Sequence, residues 1–180
     1  LSLLRTAIGL QQAPPNTVIN SLSLFLTLFV MTPTWTKAYD EGVKPLMNGD
    51  ITLEQAWPEA STPVKQFMLQ HVRDKDLALF VRLSKIETPK TAMETPFQVV
   101  APAFMISELK RAFEIGFMIF VPFLVIDLVV SSLLMSLGMM MLPPASVSLP
   151  FKLIFFVLVD GWRMIAGSLV ESFSGGPPPG

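Results

Sequence analysis

The chain has 180 residues, of which 51% are hydrophobic and 15% are charged, and its formal net charge is −1. Ordinary soluble domains are about one quarter charged, so this composition is typical of a membrane protein. The near-neutral charge argues against nucleic acid as a partner, and the lack of cysteine excludes disulfides, cysteine metal sites and thiol catalysis.

The first segment, residues 1–34, is predicted to form N-terminal hydrophobic helices. A Pro-Pro pair breaks the helical pattern, and Asn16 is then a suitable N-cap for an apolar helix over Thr17–Met31. We expect Pro33 to end this helix, which is then 15 residues long and short for a span exposed to lipid. Because the chain opens inside an apolar helical pattern, we also expect further sequence before Leu1.

The middle of the chain, residues 35–100, is polar and is predicted to be a small helical insert. Helical periodicity over 61–73 and 75–86 indicates two helices, and a solvated spacer is the simplest interpretation. His71 is the single histidine of the chain, so a His-rich metal site is excluded. We interpret His71 as a surface or packing residue rather than a ligand.

Residues 101–173 are predicted to form a long hydrophobic helical hairpin. Its first arm includes Ile115–Leu142, a stretch whose single charge is Asp127 and whose length as a helix is about 42 Å. A bilayer core needs about 20 apolar residues, so this arm is long enough to cross a membrane. The second arm, Leu149–Phe173, carries four charges, and each costs about 2.5–3.5 kcal/mol at the centre of a bilayer. We therefore expect a hydrophobic subunit that packs against other protein chains.

A methionine-rich loop over 138–144 is predicted to join the two arms. Gly138 tolerates backbone conformations that other residues avoid, and Pro143 and Pro144 interrupt the helical pattern, so these three residues are the expected hinge of the loop. Methionine is unbranched and conformationally soft, which suits an irregular apolar gap, although ordinary core packing is the alternative interpretation. The methionines of the loop are Met139, Met140 and Met141.

Asp127 and Lys152 are predicted to be buried charges of the hairpin. If Ser148 is the N-cap of the second arm, Lys152 lies four residues into that helix, about 6 Å from its start. Asp127 lies 11 residues before Gly138, about 17 Å from the loop, so the two depths differ. A pair within one chain is therefore not favoured. We expect partners on neighbouring subunits, with an intrachain pair and a wet cavity as the alternatives.

Rival functional classes require features that the sequence does not display. An ion-coupled membrane transporter would also hold charges in the membrane, but it usually has repeated halves, and no internal repeat is evident. An enzyme needs a catalytic constellation, and no Ser-His-Asp set, HExxH or phosphate-binding motif occurs, so we expect no enzymatic activity, cofactor or metal. A purely structural membrane scaffold remains as an alternative.

The predicted fold class is all-α, with hydrophobic helical hairpins and a small helical soluble insert. A Gly/Pro-rich stretch, 174–180, follows the hairpin, and we interpret it as a disordered tail or an artificial linker.

Five long motifs occur in order along the chain: QQAPPN (Gln11–Asn16), PAFMISELKRAFEIG (Pro102–Gly116), VPFLVIDLVVSS (Val121–Ser132), GMMMLPP (Gly138–Pro144) and PFKLIFFVLVDGW (Pro150–Trp162). Together they resemble the FliP family, which provides a core subunit of the flagellar type III protein-export gate. Virulence injectisomes contain a similar subunit, and the methionine triplet with QQAPPN favours the flagellar system. The resemblance covers the chain from Leu1 to about Phe173.

The resemblance implies a pore-forming subunit at the bacterial inner membrane or its periplasmic side, in the flagellar basal body. Several copies would assemble with the FliQ and FliR subunits into a helical multi-subunit pore complex, with FlhB as a further partner and FliO assisting assembly. The cargo would be unfolded flagellar proteins. The methionine triplet matches the family's gasket around the pore, and Asp127 and Lys152 match its intramembrane charged positions.

Overall fold

A computed structural model describes residues 1–10, 14–86, 89–139 and 141–174, and these residues form helices and turns without a β-strand. A five-residue π-helical segment spans Tyr39–Val43, and a 3-10 turn spans Ala92–Glu94. The all-α class predicted from the sequence is confirmed. The α-helices are α1 Ser2–Ile8, α2 Asn16–Ala38, α3 Lys44–Asn48, α4 Leu53–His71, α5 Asp74–Ser84, α6 Phe97–Ser136, α7 Pro144–Leu158 and α8 Gly161–Ser174.

The chain divides into two compact units. The first unit comprises Leu1–Leu26 and Ala112–Ser172, and the second comprises Thr27–Arg111 together with Phe173. Helices α2 and α6 each contribute residues to both units, because the boundaries fall inside them. The sequence predicted different segments, with boundaries near residues 35 and 101, because it divided the chain by polarity and not by contacts. That division stays a prediction.

Helix α2 does not end at Pro33, as the sequence predicted, but continues through it to Ala38. Proline removes one backbone donor, but a helix can continue through it, and threonine hydroxyls on either side donate to carbonyls one turn earlier. Here the Thr32 hydroxyl donates to the Leu28 carbonyl (2.7 Å) and the Thr36 hydroxyl donates to the Thr32 carbonyl (2.9 Å). The apolar helix is therefore longer than its predicted 15 residues.

The second arm of the hairpin is two helices rather than the single helix predicted over Leu149–Phe173. Helix α7 ends at Leu158, α8 begins at Gly161, and their axes differ by 60°. Asp160 between them has a φ of +50°, which interrupts the regular helix. The Gly161 backbone lies directly against the Phe156 ring, which leaves no space for a Cβ atom there.

The core of the first unit is a small apolar cluster of α1, α6 and α7. Ala7, Ile8, Phe123 and Phe156 are its buried members, and partly buried isoleucines pack against them. The Phe123 and Phe156 rings lie 6.4 Å apart, and Trp162 of α8 meets Phe156 edge to face at 5.3 Å. This cluster positions the hairpin of α6 and α7.

In the second unit, α4 is longer than the predicted helix over 61–73, because it begins at Leu53. A reciprocal capping box at Thr52 and Gln55 satisfies donors at this end, with the Thr52 N–H donating to Gln55 Oε1 (3.1 Å). The π-helical segment packs closely on α4. A Cβ atom on Gly42 would lie 2.6 Å from the backbone nitrogen of Ala60, so only glycine permits this approach.

A polar network joins α5 to α6 within the second unit. Asp76 Oδ2 accepts hydrogen bonds from the Ser107 hydroxyl (2.6 Å) and from Arg73 Nε (2.9 Å) and Nη2 (2.7 Å). Burial by itself raises the pKa of Asp76, but the hydrogen bonds from Ser107 and Arg73 and the charges of Arg73 and Lys110 outweigh it. The pKa of Asp76 therefore lies below its ordinary value.

Substitution at Gly42 tests the close packing of the π-helical segment on α4. We expect Gly42→Ala to lower the free energy of unfolding by about 1–3 kcal/mol, because the new methyl group meets backbone atoms that cannot move independently. Gly167→Ala is the matched control: this helical glycine has open space around it, so alanine should raise stability by up to about 1 kcal/mol. Thermal unfolding of the purified chain in detergent measures both, and a Gly42→Ala variant as stable as the parent contradicts the packing described.

The Asp76 network predicts a pH-dependent stability. Since the pKa of Asp76 is lower in the folded than in the unfolded chain, its carboxylate stabilises the fold above about pH 4, and this contribution is lost as the pH falls through the folded-state value. We expect Asp76→Asn to cost about 1–3 kcal/mol at pH 7 and to show a weaker further loss on acidification.

Asp74→Asn is the control for this network, because Asp74 is exposed on the same helix. Its effect should stay within about 0.5 kcal/mol. Unfolding measured at pH 7 and below pH 4 separates the cases, and identical acid sensitivity of the parent and Asp76→Asn would refute the assigned role.

Candidate functional site: the hairpin of α6 and α7

The loop at the tip of the hairpin begins with a left-handed turn at Gly138. Its φ is +72°, and the Gly138 N–H donates to the Met135 carbonyl (3.1 Å) while the Met139 N–H donates to the Leu134 carbonyl (2.9 Å). These bonds satisfy carbonyls at the end of α6 and terminate the helix, as glycine commonly does at this position. Helix α7 then begins at Pro144, with Pro143 in extended conformation before it.

Apolar side chains are exposed in this loop. The Met141 side chain is almost fully open, with 98% of the residue's surface accessible, and Met139 and Leu142 are also exposed. Met140, predicted to belong to the same gasket, lies outside the described residues. Apolar surface exposed in this way is typical of sites that contact a partner or a membrane.

A partly buried ion pair links the two arms of the hairpin below the loop. Lys152 Nζ of α7 lies 2.6 Å from Asp127 Oδ2 of α6, and the Ser148 hydroxyl donates to Asp127 Oδ1 (2.5 Å). The Lys152 side chain is 7% exposed and that of Asp127 is 32% exposed. Each carboxylate oxygen of Asp127 therefore receives its own donor, and the buried ammonium has a partner.

This pair corrects the expectation that Asp127 and Lys152 find partners on other subunits. That expectation took Ser148 as the start of the second arm, whereas α7 begins at Pro144. Lys152 is then eight residues, or about 12 Å, into α7, and Asp127 is nine residues, or about 13.5 Å, before the end of α6 at Ser136. The two charges lie at matching depths, so they meet within one chain.

Two residues of this site were not predicted to belong to it, although the sequence suggested Ser148 as an N-cap. Ser148 lies four residues before Lys152, on the same face of α7, and that spacing was the available signal. Gly9 ends α1 in a left-handed conformation, and a Cβ atom built there would lie 3.7 Å from Lys152 Nζ. The backbone at the end of α1 thus covers the ammonium, a contact across more than 140 residues for which the sequence gives no local sign.

The described residues contain no group of three or more histidine, cysteine, aspartate or glutamate side chains able to hold a metal ion. The site instead consists of the Asp127–Lys152 ion pair with Ser148, which we call the charged clamp, inside an apolar hairpin with an apolar tip. Its chemistry is that of a structural or binding element: the clamp holds the helices, and the tip offers soft apolar contacts.

The chain contains long apolar helices. Two helical stretches, Asn16–Asn48 and Phe97–Ser136, are long and apolar enough to cross a membrane, and α7 with α8 becomes a third if the bent pair counts as one span. Large apolar side chains on α2 and α6, such as Phe25, Phe29 and Phe117, are exposed. These features indicate association with a membrane.

The ion pair makes a measurable prediction for hairpin stability. Lys152→Met and Asp127→Asn should each destabilise the chain, and Asp127→Asn should cost about 3–5 kcal/mol because it leaves a buried ammonium unpaired. The double variant should cost less than the sum, with a coupling energy above about 1 kcal/mol in a double-mutant cycle. Unfolding in detergent provides the measurement, and strictly additive effects would exclude the pair.

Asp160→Asn is the matched control for this cycle. Asp160 pairs with Arg163 at 3.9 Å, but both side chains are largely exposed, so its loss should change stability by less than about 1 kcal/mol. Asparagine also tolerates the positive φ at this position.

Comparison with known proteins gives a consistent result along almost the whole chain. The model of the FliP family matches residues 1–169. A relative from Caulobacter vibrioides, named flagellar biosynthetic protein FliP, is 71% identical over 176 residues, which cover 98% of this chain and 66% of the relative.

Proteins of the same name from Bacillus subtilis and Pectobacterium carotovorum are 53% and 54% identical, over 96% of this chain and 78% and 67% of their own lengths. The chain thus spans about two thirds of the Caulobacter and Pectobacterium relatives. With a family match over residues 1–169 and identities above one half to flagellar biosynthetic proteins, the chain belongs to the FliP family.

Proposed function

We propose that this chain is a pore-forming subunit of the flagellar type III export gate and passes unfolded flagellar proteins across the inner membrane. Membership of the FliP family supports a role in flagellar export. The observation that carries the finer proposal is the tip of the hairpin, where Met141 is almost fully exposed. In this proposal Met139, Met140 and Met141 form a gasket that closes the pore around the cargo.

The physical properties of the loop suit a deformable seal. Methionine has three rotatable bonds and no branch, so its side chain adapts to surfaces of different shape. Gly138 and Pro143 keep the loop out of regular helix, and the Met141 side chain is free of the hairpin's own packing. The Asp127–Lys152 pair holds the arms below, so that the tip is soft while its support is fixed.

Exposed apolar surface supports assembly with other chains. Phe117, Met118 and Leu128 of α6 are all largely exposed, and monomeric soluble proteins rarely display such continuous apolar surface. In the proposal, further copies of this chain, the FliQ and FliR subunits and lipid cover these faces. FlhB and, during assembly, FliO are additional partners, and the assembly lies on the periplasmic side of the inner membrane in the basal body.

The hairpin geometry favours a pore subunit over an ion-coupled transporter. A coupling site has to bind and release an ion, whereas Asp127 and Lys152 bond to each other and Ser148 completes the coordination of the carboxylate. These charges thus suit a fixed structural clamp. The role proposed here is that of a transport channel component without a catalytic step.

Replacing the three loop methionines tests the gasket. We expect the triple change Met139→Ala, Met140→Ala and Met141→Ala to raise ion leakage through the assembled gate, because short side chains cannot fill the lumen. Ion conductance across the inner membrane and export of flagellar proteins are the two readouts.

Met47→Ala is the matched control, since Met47 is also exposed but lies in α3 of the second unit. It should leave both readouts unchanged. A triple variant with a tight membrane and normal export, assembled at the parent level, would reject the gasket.

A further inference from the structure

An apolar groove opens on the first unit, at the end of the hairpin away from the methionine-rich loop. Its volume is about 400 Å³, within the range of small-molecule sites in proteins. Helices α6, α7 and α8 form its walls, and the lining side chains are apolar except that of Ser168. Phe123 and Phe156 are buried at its floor, whereas Met118 and Met164 are exposed at its rim.

The bend between α7 and α8 accounts for the groove. Because the axes of these helices differ by 60°, α8 does not continue the packing of α7 along α6, and a space remains between α6 and the bend. The Phe156 ring lies against the Gly161 backbone, and Ile165 of α8 packs against the apolar cluster of the first unit. These contacts hold the walls in place, so the groove is formed before any ligand enters.

A second groove, of about 480 Å³, adjoins the first and carries charges. The two grooves share Met164 and Ser168 of α8. The charged residues of the second groove are Asp160, Arg163 and Glu171, which are all exposed. A long apolar surface therefore continues directly into a polar one, which is the arrangement that an amphipathic ligand requires.

Arg163 is only loosely engaged by its own chain. Its Nη1 lies 3.9 Å from Asp160 Oδ2, and the two side chains are 86% and 65% exposed. Because exposed ion pairs of this kind are weak, the guanidinium can bind another anion, and its planar shape suits phosphate oxygens. Asp160 and Glu171 place two carboxylates in the same groove, so a cation is attracted there as well.

We propose that the two grooves together bind phosphatidylethanolamine. One acyl chain lies in the apolar groove, the phosphate contacts Arg163, and the ammonium contacts Asp160 or Glu171. The headgroup has one negative and one positive charge side by side, which complements the charges of this groove. Phosphatidylglycerol lacks the ammonium and meets two carboxylates for one guanidinium. Phosphatidylcholine has a quaternary ammonium without an N–H, so it donates no hydrogen bond to a carboxylate.

The position of the groove along the hairpin agrees with a lipid headgroup. Ile115, at the α6 wall of the groove, lies 21 residues, or about 32 Å, before the end of α6 at Ser136. A bilayer core is about 30 Å thick, so a hairpin with its loop at one surface places the groove near the headgroups of the other. The inference requires membrane association and does not depend on the pore proposal. A second copy of the chain is the rival occupant.

Lipid binding to the intact chain in detergent, measured by native mass spectrometry, tests the proposal. Phosphatidylethanolamine, phosphatidylcholine and phosphatidylglycerol with identical acyl chains are the three probes. We expect phosphatidylethanolamine to bind about tenfold more tightly than either of the others, the ratio that corresponds to one charge-assisted hydrogen bond. Arg163→Gln should weaken its binding by a similar factor. Asp160→Asn combined with Glu171→Gln should abolish the preference over phosphatidylglycerol, because the repelling carboxylates are gone.

Ser168→Trp tests the apolar groove, because the indole fills it and should weaken the binding of all three lipids. Ser136→Trp is the matched control: Ser136 is also an exposed serine of the first unit, but it lies at the loop end of α6. This control should bind lipids like the parent. If Ser168→Trp does not fold, Ser168→Leu, which narrows the same groove, takes its place.

Equal affinity of the parent chain for the three lipids overturns the proposal, as does an unchanged lipid preference in Arg163→Gln. If Ser168→Trp dissociates a dimer of the parent chain and leaves lipid binding intact, a second copy occupies the groove and the lipid site is rejected.

Discussion

The ion pair between Lys152 and Asp127 fixes the register of the hairpin, and the rest of the first unit depends on that register. Beyond Ile115, α6 is apolar on nearly every side, so apolar burial alone does not distinguish one alignment of α7 from the next. Moving α7 by one residue shifts it about 1.5 Å and rotates its side chains by about 100°. Lys152 and Ser148 would then leave Asp127 together, and a buried ammonium would be unpaired. The polar contact therefore selects one alignment among many that are otherwise similar.

Such a pair contributes specificity more than stability. Removing two charges from water costs several kcal/mol per ion, and their mutual attraction often does no more than offset that cost. A purely apolar pair at these positions could give a hairpin of equal stability with a poorly defined tip. For a chain whose tip is proposed to seal a pore, a defined position of the loop is the more useful property, which is a physical reason for charges at positions 127 and 152.

Most helices and the burial of Lys152 were predictable from local pattern, whereas the partners of Asp127 and Lys152 depended on where α7 begins. The apolar length of α6, the helices of the polar insert and the loop at Gly138 all follow from periodicity and from glycine and proline positions.

The same reasoning failed where proline was taken only as a residue that ends a helix. Pro33 lies inside α2, and Pro144 begins α7, a position at which proline is favoured. Misplacing the start of α7 by a few residues turned an intrachain pair into an expected contact between subunits. The bond between His71 and Phe173 joins residues 102 positions apart, for which no local pattern exists.

The exposed methionines explain how a proposed gasket can close and still open. Fixing a methionine side chain costs up to about 2 kcal/mol of rotamer freedom. Burying it against an apolar surface returns about 1.5–3 kcal/mol. The net gain per side chain is then about 1 kcal/mol or less, close to thermal energy, so each contact in the seal would be weak and reversible. Three such residues on one loop, repeated around a ring of subunits, would exclude water and ions collectively while yielding individually to a passing chain. The proposed seal needs side chains that stay free until cargo or a neighbouring subunit contacts them. Met141, which is almost fully exposed above the Asp127–Lys152 ion pair, meets this requirement.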